Sequence, residues 1–429
     1  MGNKSLVKVS FDNITDFDHI LRAYHHCRKG KKKRHEVIQY DNNVMPRLID
    51  LQQRLKKDKY KIGGLYSFVI YEPKRREITA NRFEDKIVQR LLCKYVLEPL
   101  IAPVLIYDNY ASQKNKGTDL GLRRLEHFMM DYKSKYGTDG YVGVFDIKGY
   151  FKNINRGIIW SQIKRLPMDK QCKRLMKQQI FIDDDKTGIC IGFQTSQWMA
   201  VYHLNEMDHF IKEKLHIKYY ARYMDDFYII HPDKEYVKYC MEQIREYLAS
   251  IGLSLNSKTQ IHKLSEGIKF LGFHAYYTNN SNEITVKIKK DSIKRMKRRD
   301  RKFTKRIEAA ELDSTKEMLT RTAETSYRSW RAHACHSNDE IFINKMDNWF
   351  YSNHDSVLNK PKKDNLFKEE PKPVSYSKNL KYMISHSMQQ TIIPKKLSKK
   401  TRKKLKAKLN KDPYERDENG FIVLHRKST

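Results

Sequence analysis

The sequence predicts an α+β fold for this 429-residue chain, and three observations carry that expectation. Short runs of aromatic and β-branched residues alternate with longer segments of helical hydrophobic period. One short run, Gly143-Val144-Phe145-Asp146-Ile147, reads as a buried strand that ends in an acid. Two others, Tyr219-Tyr220-Ala221-Arg222 and Phe227-Tyr228-Ile229-Ile230, flank Tyr223-Met224-Asp225-Asp226 and read as a hairpin with two carboxylates at its tip. Like charges this close repel and raise each other's pKa. Chains tolerate that where a divalent cation dominates the local charge. An Asp-Asp turn alone is ordinary and solvated. With Asp146 placed the same way at another strand end, the acids fit a two-metal phosphoryl-transfer site.

The formal charge is +34, from 85 Lys and Arg against 51 Asp and Glu. That excess is an electrostatic footprint for a polyanion, and nucleic acid fits it best. No apolar run is long enough to span a bilayer, so no membrane partner is expected. Met1-Gly2-Asn3-Lys4-Ser5 lacks the apolar core of a signal peptide and matches a myristoylation signal no better than chance. Cys27, Cys93, Cys172, Cys190, Cys240 and Cys335 are scattered without a CxxC pair. That points to a reducing, cytoplasmic compartment and to no structural zinc. His333, Cys335 and His336 share one helical stretch without partners and read as surface residues, not ligands.

In chain order, the first sixty residues hold two helical patterns separated by Lys29-Gly30-Lys31-Lys32-Lys33-Arg34, the second with Leu48, Ile49, Leu51 and Leu55 on one face. Leu65 to Tyr71 and Ile78-Thr79 read as a hairpin turned at Pro73 and tipped by Lys74-Arg75-Arg76. A helix runs through Ile87, Leu91 and Tyr95 to a stop at Pro99, and another covers Leu122 to Tyr132. Past the Asp146 strand, Asn153 or Asn155 opens a helix. Thr195 or Ser196 is expected to cap a long amphipathic helix to Leu215, striped by Trp198, Val201, Tyr202, Leu204 and Phe210. A helix from Asp233 to Ile251 follows the acidic hairpin. Ile268 to Tyr277 and Glu283 to Ile288 are expected to pair about a turn at Asn279-Asn280. Two or three Lys- and Arg-rich helices then reach about Tyr351. Beyond Ser352 apolar content falls, Pro361, Pro371, Pro373 and Pro394 recur, and Lys395 to Lys408 carries nine basic residues in fourteen. A partly disordered tail and an RNA-gripping arm are compatible readings of that run.

Several of these words stand in a recognisable order. They are Pro73-Lys74-Arg75-Arg76, Phe83-Glu84-Asp85-Lys86-Ile87-Val88-Gln89, Tyr110-Ala111-Ser112-Gln113 with Lys116-Gly117-Thr118, and Phe145-Asp146-Ile147-Lys148-Gly149-Tyr150-Phe151. Ile191-Gly192-Phe193-Gln194-Thr195-Ser196-Gln197, the Tyr-Met-Asp-Asp hairpin, Leu255-Asn256-Ser257-Lys258-Thr259 and Phe270-Leu271-Gly272-Phe273 follow. From about Asp41 to Tyr351 the chain resembles bacterial reverse transcriptases of the group II intron and retroelement lineage. Ile191 and Gln197 stand where intron enzymes usually have Gln and Pro, and there the chain looks like the reverse transcriptases of diversity-generating retroelements. Lys86 and Gln89 stand where those enzymes more often have Arg and His.

The resemblance implies a right-hand polymerase fold: an N-terminal helical extension (1–60), fingers (61–140), a palm with an antiparallel sheet (141–288, with a finger insertion about 155–190), a helical thumb (289–352) and a basic C-terminal tail (353–429). It implies an RNA-directed DNA polymerase that adds dNTPs to a primer 3′-hydroxyl, with two Mg²⁺ ions, or Mn²⁺ in their place. The partners implied are an RNA template, a DNA or RNA primer, and a small basic accessory protein or structured non-coding RNA. A phage-defence enzyme and an intron maturase share the same core, and an RNA-binding splicing factor is the non-enzymatic alternative.

Residue by residue, Asp146, Asp225 and Asp226, with the carbonyl of Ile147, would hold the metals. Lys258 would act as general acid for the leaving pyrophosphate. Lys74 and Arg76 would meet the triphosphate. Tyr150 or Phe151 would form the floor under the sugar, with the resemblance favouring Tyr150. Ile191 and Gln197 would line the nucleotide pocket, and loss of the relatives' amide at Ile191 would relax selection. Phe270, Leu271 and Gly272 would grip the primer. Lys294, Arg295, Arg298 and Arg299 would track duplex phosphates.

Overall fold

The computed structural model describes residues 9–71, 75–278 and 283–354, with the backbone of Glu415–Arg416 and Ile422–Val423. Lys74, Asn279-Asn280 and nearly all of the expected basic tail therefore lie outside the described residues. The chain divides into Met1–Leu366 and Phe367–Thr429. In the second unit, Glu415–Arg416 pairs antiparallel with Ile422–Val423.

In the first unit the aromatic and β-branched runs form three antiparallel sheets. β1 (Leu65–Ile70) and β2 (Arg76–Asn81) make a hairpin in which Ile70 pairs with Arg76. β3 (Tyr141–Asp146), β4 (Tyr219–Tyr223), β5 (Asp226–His231) and β6 (Gln260–Lys263) form a sheet of order β4-β5-β3-β6. β7 (Ile268–Phe270), β8 (Phe273–Tyr277) and β9 (Ile284–Ile288) form the third. Ile268 to Tyr277 is thus itself a hairpin, turned at Leu271-Gly272, where a single strand was expected. Both turn residues take positive φ, at 52° and 88°, the backbone that a tight two-residue connection needs.

Helices cover the central sheet. On β3 and β5, Phe145 faces Phe227 in register, and their rings stack 4.8 Å apart. Such cross-strand aromatic pairs stabilise a sheet beyond the area they bury. One large core joins the N-terminal helices to this face, and a second lies between the Thr118–Tyr136 helix and β7–β9. The C-terminal helices Lys290–Glu308, Asp313–Ala334 and Glu340–Ser352 enclose a smaller one of Met296, Ala323, Tyr327, Phe350 and Tyr351.

Several local expectations are corrected. Among the described residues of the first sixty there are four helices, not two, and Ile49 points outward at 48% exposure while Leu48, Leu51 and Leu55 are buried. Pro99 does not stop a helix. The Phe83–Leu92 helix passes through a π-helical turn, Cys93–Leu97, and Pro99 sits in the first turn of Glu98–Ile101, where its missing N–H is harmless. The helix expected to reach Leu215 is broken into Gln194–His203, Asn205–His209 and a π-helical turn Phe210–Lys214. Neither Thr195 nor Ser196 caps it. The Gln194 N–H instead donates to Gln89 Oε1 at 3.0 Å, and Thr195 turns inward to Gln179 at 3.4 Å. Of Asn153 and Asn155, it is Asn155 that caps the Arg156–Ile163 helix, accepting from the Ile158 N–H.

Gly192 shows why one word of the sequence needs its glycine. A Cβ there would lie 2.1 Å from the Thr79 carbonyl oxygen of β2. Gly192→Ala is expected to lower stability by about 1–3 kcal/mol, the usual penalty for overpacking. Thermal unfolding of the variant against the wild type checks it.

Candidate active site

Strand register builds the site. Asp146, at the end of β3, is the direct partner of Asp226, the first residue of β5. Asp225 belongs to the turn between β4 and β5, whose Met224 takes φ +57°. The two sides of the site are also sewn together through the backbone, since the Ile147 N–H donates to the Asp225 carbonyl at 3.3 Å. Ile147 is itself buried and bridges Leu255.

Asn256, which the sequence reading left without a role, holds Asp146 at two points. Its backbone N–H donates to the Asp146 carbonyl at 2.7 Å, and its Nδ2 to the Asp146 carboxylate at 2.8 Å. Lys258 follows on the same loop with its side chain exposed, and its N–H donates to Asn256 Oδ1 at 3.2 Å.

Burial, together with the charges of Asp225 and Asp146, pushes the Asp226 carboxyl up from 3.8 to about 7, against the opposing charge of Lys289 and a backbone hydrogen bond from Leu271. Lys289 is a second residue the sequence reading missed. It opens the Lys290–Glu308 helix, and its N–H donates to the Gly272 carbonyl at 3.0 Å. The Leu271-Gly272 turn thus joins the start of that helix to a site carboxylate. A charged residue directly after the apolar β9 strand was the only signal for it.

The donor set is all oxygen and carries more negative charge than Lys289 offsets, which fits a hard divalent cation. Among the described residues, no three His, Cys, Asp or Glu side chains converge tightly enough to enclose an ion by themselves. Magnesium sites are rarely all-protein cages: one or two carboxylates hold the ion, and phosphates and water complete it.

The raised carboxyl has a consequence for the metal-free protein. An acid whose folded pKa is raised contributes stability below its unfolded pKa, and that contribution is lost as pH rises from about 4 through about 7. Wild-type protein in chelator is expected to lose stability over that window. Asp226→Asn flattens the dependence and raises the melting temperature at pH 8. Thermal unfolding across pH 5–8 checks the pair.

Other expected residues are placed as follows. Tyr150 is buried at 2% exposure, its hydroxyl donating to the Ala200 carbonyl at 2.6 Å. Phe151, next to it, is half-buried. Of the two rings, that of Phe151 is the more open and that of Tyr150 is enclosed. Ile191 is half-buried in the turn before Gly192, and Gln197 is exposed and accepts from Ser112 Oγ at 3.4 Å. Arg76 is exposed on β2. Phe270 is buried, while Leu271 and Gly272 form the turn beside Asp226. Lys294 and Arg298 are exposed on the Lys290–Glu308 helix and Arg295 is half-buried. Arg299 donates to Ser326 at 3.1 Å, and so also ties two helices together. His333 and His336 are half-buried, not free surface: the His333 ring meets Phe273 and lies against Gly272, and His336 Nδ1 is 3.7 Å from Asp119.

Asp146 and Asp226 face each other across the sheet, with Asp225 at the adjoining turn. Residues 56–275, just over half of the chain, match the reverse transcriptase (RNA-dependent DNA polymerase) family, and the chain belongs to that family. Solved structures similar to it include apo telomerase from Candida tropicalis truncated from the C-terminal domain, at 17% identity and a TM-score of 0.40, over 52% of this chain and 55% of that one. This chain thus spans about half the length of that structure. No curated protein matches it. Among the described residues, no helix is long and apolar enough to cross a membrane.

Proposed function

We propose that this chain is an RNA-directed DNA polymerase of right-hand architecture that adds dNTPs to a primer 3′-hydroxyl. The observation that carries the reading is Asp146 facing Asp226 in strand register, with Asp225 at the turn, inside the family-matched segment. In this reading β3–β6 are the palm, β1–β2 belong to the fingers, and the three C-terminal helices are the thumb. The chemistry that bound divalent ions, Mg²⁺ by preference, supply there is neutralisation of charge on the attacking and leaving oxygens.

The chain's own residues do the rest. Asp146 and Asp225 hold the ions, and Asp226 supports them from the edge. Asn256 keeps the Asp146 carboxylate aimed, as outer hydrogen bonds do for metal ligands. The Ile147 carbonyl is a further oxygen donor at the same strand end. Phe151 stacks under the sugar and excludes a 2′-hydroxyl by its bulk. Lys74 and Arg76 meet the triphosphate, with Ile191 and Gln197 on the pocket wall. Lys258 protonates the departing pyrophosphate. Phe270 to Gly272 seat the primer terminus, and Lys294, Arg295 and Arg298 track phosphates of the RNA–DNA duplex.

Within the family, the reading favoured is an error-prone polymerase of a diversity-generating retroelement. The support is Ile191, an apolar side chain where an amide would read the nascent pair, because apolar contact discriminates less than polar readout. Sequencing the cDNA made from a defined RNA with Mg²⁺ and four dNTPs tests it. Errors concentrated opposite template adenines, and reduced in Ile191→Gln, are the expected result. Accurate copies would favour an intron or phage-defence enzyme instead.

A further inference from the structure

We infer that Arg222 is a positioning residue: anchored in the interior, it fixes the turn that carries Asp225 and so sets the affinity of the site for its divalent ion. The inference rests on the active-site reading above. Arg222 and Asp208 are both fully buried, a pairing that is costly unless every donor and acceptor is used. Here nearly every one is. Arg222 Nε and Nη2 donate to the two Asp208 oxygens at 2.7 and 2.6 Å, and Nη2 also donates to the Val201 carbonyl at 3.0 Å. Tyr220 and Asn109 side chains donate to the same carboxylate. One arm of the guanidinium points the other way: Nη1 donates to the Met224 carbonyl at 3.0 Å.

That last bond is the significant one. Met224 is a non-glycine residue held at φ +57°, a conformation that persists only where surroundings enforce it. It directly precedes Asp225. A charge-assisted hydrogen bond from a fixed donor is strong enough to enforce it. The donor is fixed at the backbone too, because the Arg222 N–H donates to the Asp108 carbonyl at 3.0 Å and the Tyr110 N–H donates to the Arg222 carbonyl at 3.1 Å. The Val201 carbonyl belongs to the Gln194–His203 helix, which starts from the Ile191–Gln197 word. One guanidinium therefore spans the acidic turn and the helix behind the proposed nucleotide pocket. A lysine keeps the charge opposite Asp208, but its single ammonium has no planar fork with which to serve Met224 and Val201 together.

The test uses the full chain and Mn²⁺ as probe, bound at equilibrium and read by electron paramagnetic resonance, beside steady-state primer extension. Arg222→Lys is expected to weaken Mn²⁺ binding about tenfold or more and to lower kcat by a similar factor, with the dNTP KM changed far less. Circular dichroism and thermal unfolding establish that it is folded. A folded Arg222→Lys with wild-type Mn²⁺ affinity and kcat would overturn the inference, as would a lowered melting temperature with unchanged affinity. If the lysine variant does not fold, the paired Arg222→Met, Asp208→Leu variant takes its place, because apolar residues of similar volume commonly replace a buried ion pair without loss of fold. Weakened Mn²⁺ binding in it supports the inference, and wild-type binding overturns it. Asp225→Ala is the control. If that variant binds Mn²⁺ like the wild type, the active-site reading falls, and the inference with it.

Discussion

Asp146→Ala and Asp225→Ala are each expected to reduce primer extension by about 10³-fold or more, equivalent to roughly 4 kcal/mol of lost charge stabilisation. The loss should fall on kcat, because the interaction is made to oxygens whose charge grows during reaction. Neither variant should lose much stability. Asp146 ends a strand and Asp225 lies in a turn, and removing either charge takes away part of what, beside burial, raises Asp226. Asn256→Ala should fall between these variants and the wild type, about 10–100-fold down, because it removes the amide that aims Asp146 and leaves the carboxylate in place. Steady-state kinetics with matched melting curves separate the three. A proportional loss of folded protein and activity would instead mean that the acids are structural.

Phe151→Val is expected to shift sugar selection toward rNTPs by about 10–200-fold, the range that a change of pocket volume commands. Tyr150→Phe should not shift it at all. The Tyr150 ring is buried and its hydroxyl is satisfied by the Ala200 carbonyl. Deleting that hydroxyl strands a buried acceptor and costs about 1–3 kcal/mol of stability. The two neighbours thus separate cleanly: one variant changes the kcat/KM ratio for dNTP over rNTP at constant stability, and the other changes stability at constant ratio. The reverse pattern would make Tyr150 the floor.

This pair also shows what sequence could and could not reveal. Two adjacent aromatics after a strand-end acid announce a site. Which of them faces the ligand depends on the Tyr150–Asn153 turn, entered through Gly149 at φ +55°, and on Ala200, fifty residues away in sequence. The three acids were legible because each adjoins an apolar run, a pattern that local chemistry alone makes conspicuous. Which of them face each other was not, since that depends on the sheet order β4-β5-β3-β6 and its register. Arg222 and Asp208 were overlooked for the same reason. An arginine inside an apolar strand signals a buried partner, but the partner, Asp208, lies on the second segment of a broken helix whose pattern reads as unbroken to Leu215. That break falls at Leu204, an apolar residue of the expected stripe. Ile49 fits a helical stripe equally well one position off the buried face, and only packing decides it.

Whether the chain polymerises DNA on RNA is decided by primer extension on an RNA template by the full chain, with Mg²⁺, four dNTPs and an Asp225→Ala, Asp226→Ala control. DNA product is expected from the wild type, none when the metal is chelated, and none from the double variant. A wild-type protein that binds the RNA but makes no DNA, even with Mn²⁺ supplied, would contradict that expectation.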